Sequence, residues 1–386
     1  MAAKRILFVQ YASPAGYPPL QHAARILARD GWRVLVLGVQ SPGMQPLQWP
    51  ADTGAELKLV RGTPSGARLK MQYAAYAARA LYWAARRKPA VVYASDPLAA
   101  PIALLLARLS RAELVYHEHD SPARREGLAH RVVARLRIQA ARTARFCVLP
   151  NANRIAAFID DTGALAERTL CVWNCPSLAE IRERPSVPSP NPTVYFHGSI
   201  NAVRLPLAIL DALAMLPANV RFAFAGYETL GAEGYVGTFL AHARRLGLAS
   251  ERVAFLGAAS RSSVLDWASR CDIGLALVPL DSRDINMRFM VGASNKPFDY
   301  LAAGLALVVS RLRDWEETFV QPGYAASCDP SDARSIAAAL APLIEDAPRR
   351  VAMARAGLRR VQEDWNYERQ FRPLLQGLNE CIAARR

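Results

Sequence analysis

Lys296 and Asp299 stand three residues apart in the stretch 294–304, and together they have the chemistry of a nucleotide site. Pro297 suits the first turn of a helix, where its missing N–H is no loss, and Gly304 suits the helix end. A helix N-terminus attracts anions, and Lys296 adds a full positive charge there. Asp299, one turn into the helix, could accept hydrogen bonds from the two hydroxyls of a ribose. The pattern therefore indicates phosphate and sugar ligands on one helix.

The same spacing also suits an ordinary loop, helix and strand, in which Asp299 stabilises its own helix and Lys296 is a solvated loop residue. The order of residue types separates the two interpretations. Asn-Lys-Pro-Phe-Asp-Tyr-Leu-Ala-Ala-Gly, followed by an apolar strand, resembles the signature Asn-Lys-x-Phe-Glu-Tyr-x-Ala-Ala-Gly-x-Pro-Val-Val of retaining GT-B glycosyltransferases of the family-four (group 1) class. The resemblance implies that Asp299 holds the ribose of a nucleotide sugar, and that Asn295, Lys296 and Phe298 belong to the donor site.

The chain departs from that class in its Glu-x7-Glu pattern. Val291 stands eight residues before Asp299, where the first glutamate is expected. Asp281 and Asp284 lie in the preceding loop, and the spacing does not decide whether either replaces it.

Strands and helices alternate on both sides of a proline-rich stretch, which predicts parallel sheets with right-handed crossovers. Residues 182–192 contain four prolines and are expected to form an extended linker. The predicted domains are residues 1–181 and 193–365. The resemblance implies the GT-B fold: two Rossmann-like α/β domains facing an interdomain cleft, with a last helix, residues 366–386, crossing back to the acceptor-binding first domain.

Ligands of open α/β sheets bind at the carboxyl ends of strands, so the residues there are candidates for chemistry. The resemblance implies that Gly16, after the first strand, lets the backbone approach the donor phosphates. It also implies that Gly198 and Arg204 form the phosphate side of the second domain. Arg204 is expected at the start of a helix over 204–216, where its charge is unfavourable unless an anion is bound.

His117-Glu118-His119-Asp120 follows the apolar strand 113–116 directly. His-x-His could suggest a metal site, but the sequence places no further ligands, and we interpret His117 as a hydrogen-bonded structural residue. The segment resembles Tyr-Asp-x-His-Glu of the family-four class, with His119 in the place of the histidine. His119 is therefore the candidate catalytic or acceptor-side residue, because an imidazole can donate to a sugar hydroxyl and relay a proton.

Composition bounds the remaining possibilities. With 386 residues, 52% hydrophobic and 21% charged, the chain suits two globular domains. No apolar run approaches the roughly 20 residues that span a bilayer. Six scattered cysteines indicate reduced thiols in a cytoplasmic protein. There is no Asp-x-Asp motif, P-loop or dinucleotide fingerprint, so we expect no metal and no cofactor beyond a UDP- or GDP-linked sugar as co-substrate.

The formal net charge of +15 fits nucleic acid, an anionic membrane or phosphorylated substrates. Residues 68–88 carry six basic and several aromatic side chains without an acidic one, which is typical of a helix on an anionic bilayer, although a crossover helix with a solvated basic edge fits as well. A predicted helix over 121–145 adds Arg124, Arg125, Arg131 and Arg135. We therefore expect attachment to the inner face of the cell membrane.

The expected activity is transfer of a sugar to an acceptor hydroxyl, with retention and without metal, in the synthesis of bacterial cell-surface polysaccharide or glycolipid. The acceptor is expected to be lipid-linked or a saccharide. A GT-B sugar-nucleotide epimerase shares the fold and donor but needs no acceptor. A basic nucleic-acid-binding protein fits the charge, but the sequence has no evident recognition helix or stacking surface, so no nucleic-acid partner is expected.

The substitution Asp299→Asn is expected to weaken donor binding by about tenfold or more, because a charge-assisted hydrogen bond contributes roughly 1.5–3 kcal/mol. Isothermal calorimetry with the nucleotide sugar that most stabilises the wild-type chain measures the change. Unaltered affinity in a folded variant would contradict the ribose role.

Overall fold

The computed structural model describes residues 4–40, 47–62, 67–122, 126–182, 191–229 and 231–384. The chain forms two compact units. Met1–Asn174 and Tyr367–Arg386 make up the first, and Cys175–Asn366 makes up the second. Both are α/β units built on one parallel sheet, as the alternating pattern predicts.

The first unit has a seven-stranded sheet in the order β3-β2-β1-β4-β5-β6-β7. Its strands are β1 (Arg5–Gln10), β2 (Arg33–Gln40), β3 (Glu56–Arg61), β4 (Val91–Ser95), β5 (Glu113–His117), β6 (Phe146–Leu149) and β7 (Thr169–Cys171). Its helices are α1 (Pro18–Arg29), α2 (Ala67–Arg87), α3 (Ala100–Ser110), α4 (Leu128–Thr143), α5 (Ala152–Thr162) and the last helix of the chain, α14 (Tyr367–Ala383).

The second unit has a six-stranded sheet in the order β10-β9-β8-β11-β12-β13. Its strands are β8 (Thr193–Ile200), β9 (Arg221–Glu228), β10 (Val253–Phe255), β11 (Ile273–Ala276), β12 (Ala306–Ser310) and β13 (Ala325–Cys328). Its helices are α6 (Ala208–Met215), α7 (Tyr235–Arg245), α8 (Arg261–Ala268), α9 (Ile285–Arg288), α10 (Lys296–Ala302), α11 (Arg313–Trp315), α12 (Ala333–Glu345) and α13 (Ala347–Glu363).

Helices cover both faces of the first sheet, because every central strand is apolar on both sides. On one face, Leu7 and Val92 pack against α2 and α3. On the other, Phe8 and Tyr93 pack against α1 and α14. The carboxyl edge of the sheet carries the polar residues, as expected for an α/β ligand site.

The predicted strands are all present among the described residues, but two predicted helix starts are wrong. Helix α4 begins at Leu128 rather than at 121, because Pro122 and the left-handed Gly127 (φ 110°) interrupt the backbone before it. Helix α6 begins at Ala208, after Pro206, so Arg204 lies in a turn and not at a helix start.

The segment 175–181, predicted as the end of the first domain, belongs to the second unit. Its side chains explain why. Glu180 pairs with Arg261 of α8, at 2.7 Å between Oε1 and Nε. Arg182 pairs with Asp266 of the same helix and donates its N–H to the carbonyl oxygen of Ala302 in α10. Of the predicted linker 182–192, residues 183–190 lie outside the described residues, so the linker stays a prediction.

No helix in the described part of the chain has the length and apolarity needed to cross a bilayer.

Arg261 joins three parts of the second unit, because its guanidinium binds both Glu180 and the fully buried Asp299. Arg261→Met leaves the Asp299 carboxylate buried without its cationic partner. We expect the second unit to lose about 3–5 kcal/mol of unfolding free energy, the cost of breaking a buried pair from one side. Hydrogen exchange of peptides from 175–366 measures the loss.

Arg313→Met is the matched control. Arg313 pairs with Glu317 four residues away, but its side chain is 93% exposed. Removal of that pair is expected to change the same free energy by less than about 0.5 kcal/mol. Equal exchange in the two variants would show that the buried network does not stabilise the unit.

Candidate functional site

Asp299 lies one turn into α10, fully buried, and both of its oxygens accept hydrogen bonds from the chain itself. Arg261 donates from Nη2 to Oδ1 at 2.7 Å and from Nη1 to Oδ2 at 3.0 Å. Nε2 of His197, in β8, lies 3.2 Å from Oδ2. The carboxylate therefore orders α8 and β8 around α10, and its ribose role stays a prediction.

Charge keeps Asp299 ionised at the centre of this network. Burial alone would raise the pKa of Asp299, but the Arg261 charge and the hydrogen bonds from His197 and Arg261 hold it below its ordinary value. Burial also lowers the pKa of His197, although Asp299 acts in the opposite direction. The result is an ionised carboxylate whose compensating cation is Arg261.

Lys296, at the first position of α10, lies over the backbone of Gly198 in β8. A Cβ placed on Gly198 would stand 3.1 Å from Cε and 3.3 Å from Nζ of Lys296, so the glycine makes room for the lysine. Gly198 has a left-handed φ of 118°, which disfavours a side chain there as well. The ammonium also lies 5.5 Å from the ring centre of Phe196. The structure therefore brings together two of the predicted donor residues.

Arg204 is a second cation near Lys296. Burial is the first cause that lowers the pKa of Lys296, to about 7, and the nearby Arg204 charge is the second. A nitrogen of Arg204 contacts Sδ of Met287 at 3.7 Å, so the guanidinium lies against the short helix α9. Because the Arg204 charge is near enough to lower the pKa of Lys296, an anion bound beside both cations would stabilise this site.

The remaining predicted donor residues are Asn295, Phe298 and Gly16. Asn295 is the N-cap of α10 but makes no side-chain cap hydrogen bond. Phe298 is fully buried and packs against Phe319 and Trp365, which are the contacts of a core residue. Gly16 lies in the 3₁₀ turn Pro14–Gly16 of the first unit. Their donor roles stay predictions.

The loop before α10 does not supply an evident substitute for the missing glutamate. Val291 is buried. Asp284 accepts the N–H of Asn286 as the N-cap of α9, and Asp281 is exposed. The question of replacement stays open between these aspartates.

His119 lies at the carboxyl edge of the first sheet and is 6% exposed. Its ring Nε2 lies 3.0 Å from Oγ of Ser95. Its backbone N–H donates to Oδ1 of Asp96 at 3.0 Å. Its carbonyl oxygen accepts from Nη1 of Arg154 at 2.8 Å. The end of β4 and helix α5 thus hold the backbone of His119, and Ser95 holds its ring.

The environment of His119 changes the chemistry expected of it. Burial, followed by the Arg154 charge, lowers the pKa of His119 to about 3. The imidazole is therefore neutral at physiological pH and a weak base. It is better suited to hydrogen bonding with a hydroxyl than to holding a proton.

Several residues around His119 in the first unit and around Asp299 in the second were not predicted from the sequence. Asp96 directly follows β4 in a left-handed conformation (φ 71°). Burial, with the Asp120 charge second, raises the pKa of its carboxyl to about 8. Its position after an apolar strand was a usable signal. Arg154 and Arg261 gave no signal, because their partners are distant in sequence.

Groups of three or more histidine, cysteine or acidic side chains that could hold a metal ion are absent from the described residues. The metal-independent reaction stays a prediction.

Comparison with known proteins identifies the family. Residues 19–175 match the model of the glycosyl transferase 4-like domain, and residues 207–376 match the model of the glycosyl transferase-like family. Together the two matches cover most of both units. No curated protein sequence matches the chain.

Solved structures show the same fold. HepE of Anabaena, crystallised with UDP and glucose, has a TM-score of 0.74 at 19% identity and covers 98% of this chain and 100% of its own. Sucrose-phosphate synthase of Thermosynechococcus elongatus has a TM-score of 0.73 at 14% identity, covering 99% and 100%. WaaG, a glycosyltransferase of lipopolysaccharide biosynthesis, has a TM-score of 0.64 at 15% identity, covering 96% and 98%. The chain is a glycosyltransferase of the family-four-like group 1 class, with the two Rossmann-like α/β domains of the GT-B fold.

Proposed function

We propose that this glycosyltransferase takes a sugar from a nucleotide diphosphate donor bound to the second unit and transfers it to an acceptor hydroxyl, with retention and without a metal ion. The observation that carries the proposal is the position of Lys296 over Gly198, with the Arg204 charge near enough to lower the pKa of Lys296. A diphosphate is the anion that this pair would stabilise both in the ground state and as the leaving group.

A uridine nucleotide is the donor that we favour. HepE has been crystallised with UDP and with UDP-glucose. The match of fold over the whole chain makes UDP-glucose the first donor to test.

The acceptor side is proposed to operate at a membrane, in the synthesis of a cell-surface polysaccharide or glycolipid. Helices α2, α3 and α4 lie on one face of the first sheet. The outer side of this layer, here called the α2–α4 surface, exposes large apolar side chains: Leu69, Met71, Tyr82, Leu98, Leu105, Leu109, Leu128 and Val132. Such a concentration of exposed apolar side chains on one layer is typical of an interaction surface.

Basic side chains are interspersed with these apolar ones: Lys70, Arg79, Arg86, Arg87, Lys88, Arg108, Arg111, Arg131 and Arg135 are all exposed. Arg124 and Arg125, which also contributed to the prediction, lie outside the described residues. Apolar insertion combined with attraction to anionic headgroups supports peripheral membrane binding at the inner leaflet of a bacterial cell.

UDP-glucose is expected to raise the melting temperature of the wild-type chain, because a ligand that binds only the folded state stabilises it. Lys296→Met and Arg204→Met should each remove most of that shift. Lys4→Met, which breaks an ion pair with Asp30 in the first unit, should leave it intact. A panel of nucleotide sugars in which none shifts the wild type would contradict the proposal.

Donor affinity should fall as the pH rises above about 7, because Lys296 of the free protein loses its proton there and must regain it to bind a diphosphate. One proton taken up on binding corresponds to a loss of about tenfold in affinity per pH unit. Calorimetry with UDP-glucose between pH 6.5 and 9 measures how the dissociation constant changes with pH, on the order of tenfold per pH unit. Arginine keeps its charge over this pH range, so Lys296→Arg should make the affinity for UDP-glucose nearly independent of pH. An equal pH dependence in the variant would show that a group other than Lys296 takes up the proton.

Vesicle co-sedimentation tests the membrane proposal. Binding to phosphatidylglycerol vesicles is expected and binding to phosphatidylcholine vesicles is not, and the bound fraction should fall steeply with salt. Met71→Glu should reduce binding, because Met71 is 70% exposed on the α2–α4 surface.

Met215→Glu is the matched control, since Met215 is 56% exposed on α6 of the second unit. It should bind as the wild type does. Equal recovery of wild-type protein in the supernatant with both lipids at low salt would argue for a soluble acceptor and against this surface.

A further inference from the structure

Acidic side chains follow several strands of the second sheet at its carboxyl edge, and the backbone of their own loops satisfies some of them. Glu228, at the end of β9, accepts the N–H groups of Gly234 and Val236 at the start of α7. Asp329, after β13, accepts the N–H and the hydroxyl of Ser331. Glu228 and Asp329 therefore have structural roles at this edge.

Asp314 differs from these residues. It lies in the three-residue helix α11, shortly after the end of β12 at Ser310. Its Oδ2 is buried and has no hydrogen-bond partner, and it is the one such carboxylate oxygen among the buried and half-buried residues that the structure describes. Because a buried carboxylate oxygen without a partner is costly, Oδ2 is suited to receive a hydrogen bond from a ligand.

The charges near Asp314 indicate what kind of ligand fits. Burial raises the pKa of its carboxyl, and the nearby Glu317 charge acts in the same direction. Arg313, the residue before it, pairs with Glu317. Hydrogen bonds from neutral hydroxyl groups would stabilise the ionised form of Asp314, whereas an anion would be repelled by it. A ligand with hydroxyl groups therefore suits this carboxylate better than a phosphate does.

Asp314 also contacts the loop that leads to α10. The backbone N–H groups of Trp315 and Val291 both donate to its carboxyl. Val291 stands eight residues before Asp299, where the family-four class has its first glutamate. The loop itself has an apolar side chain at that position, and Asp314 brings a carboxylate to it from the end of β12.

The separation between Asp314 and the proposed phosphate site suits the sugar of a nucleotide sugar. Lys296 lies over Gly198 of β8, and β12 is the second strand from β8, with β11 between them. Neighbouring strands are about 4.8 Å apart, so the ends of β8 and β12 are roughly 10 Å apart. A phosphate at Lys296, the hexose attached to it and a hydrogen bond to a carboxylate span a distance of this size. On the other side of β8, the carboxylate of Glu228 is already occupied.

We propose that Asp314 accepts hydrogen bonds from ring hydroxyls of the hexose in the nucleotide-sugar donor and thereby determines which sugar the second unit accepts. The inference rests on the proposed function and names the residue that recognises the sugar rather than the nucleotide. A site built to bind a hydroxyl discriminates strongly against a sugar that lacks it or holds it in another orientation. The next segment, Glu316–Val320, is a π-helix, a rare element that is frequent at functional sites.

Calorimetry on the full chain, with UDP-glucose and UDP as ligands, tests the proposal. Asp314→Asn should raise the dissociation constant of UDP-glucose about tenfold and leave that of UDP unaltered, because only the first ligand has the hexose. The preference of the wild type between UDP-glucose and UDP-galactose should also decrease in the variant. An unchanged ratio of the UDP-glucose and UDP constants in Asp314→Asn overturns the inference.

Melting temperature and UDP affinity separate sugar recognition from a structural role. Asparagine keeps a side-chain oxygen for the N–H groups of Val291 and Trp315, so the variant should melt close to the wild type. A lower melting temperature with equal losses of UDP and UDP-glucose affinity would show that Asp314 only holds the loop, and would overturn the inference. Asp314→Ser, which also keeps an acceptor, provides the same comparison if Asp314→Asn does not fold.

Glu317→Gln is the matched control, because it removes the same charge from the same segment while its side chain is 53% exposed. It should keep the wild-type ratio of the two dissociation constants. An equal change of that ratio in both variants would show an effect of net charge rather than of contact, against the proposal. Failure of the wild type to bind either UDP or UDP-glucose would contradict the proposed donor, and the role of Asp314 would fall with it.

Discussion

A carboxylate with no exposed surface must be compensated where it lies, and Asp299 imposes this constraint on the second unit. Arg261 supplies the compensating charge, and Glu180 binds the same guanidinium from the segment that follows the first unit. The pair therefore fixes α8 against α10, and with α10 it fixes the position of Lys296 over Gly198. The position of Lys296 in the proposed phosphate site thus depends on the Arg261–Asp299 ion pair, which is not itself part of that site.

The two sheets have electrostatically different carboxyl edges. That of the second unit combines Lys296 and Arg204 and is suited to a diphosphate. That of the first unit ends in neutral imidazoles, an amide and a hydroxyl, which suit groups without charge. A glycosyltransferase needs a cationic site and an uncharged polar site, because its donor carries the charge of the leaving group and its acceptor contributes only a hydroxyl.

Local sequence was sufficient for the strands and for the position of Lys296 and Asp299 on one short helix, because apolar runs and proline and glycine positions act within a few residues. It was insufficient for the local structure of Arg204. The predicted helix begins at Arg204, four residues before α6 does, because the pattern does not show that the helix begins only after Pro206. Local sequence was also insufficient for Arg261, 38 positions from Asp299, and for Ser95, whose neighbours Gln10 and His117 are set by strand order. Long-range pairing of this kind has no signature in one sequence.

The position of α14 has a consequence for how the chain is made. This helix helps to close one face of the first sheet through Tyr367, Phe371 and Leu374, yet it is synthesised only after the whole of the second unit. Until then the apolar sides of Phe8 and Tyr93 lack the part of their cover that α14 supplies, although their strands were synthesised long before. The second unit, continuous in sequence from Cys175 to Asn366, can complete its folding first. The nascent first unit therefore keeps part of an apolar sheet face exposed, covered by α1 but not by α14, while the second unit is synthesised.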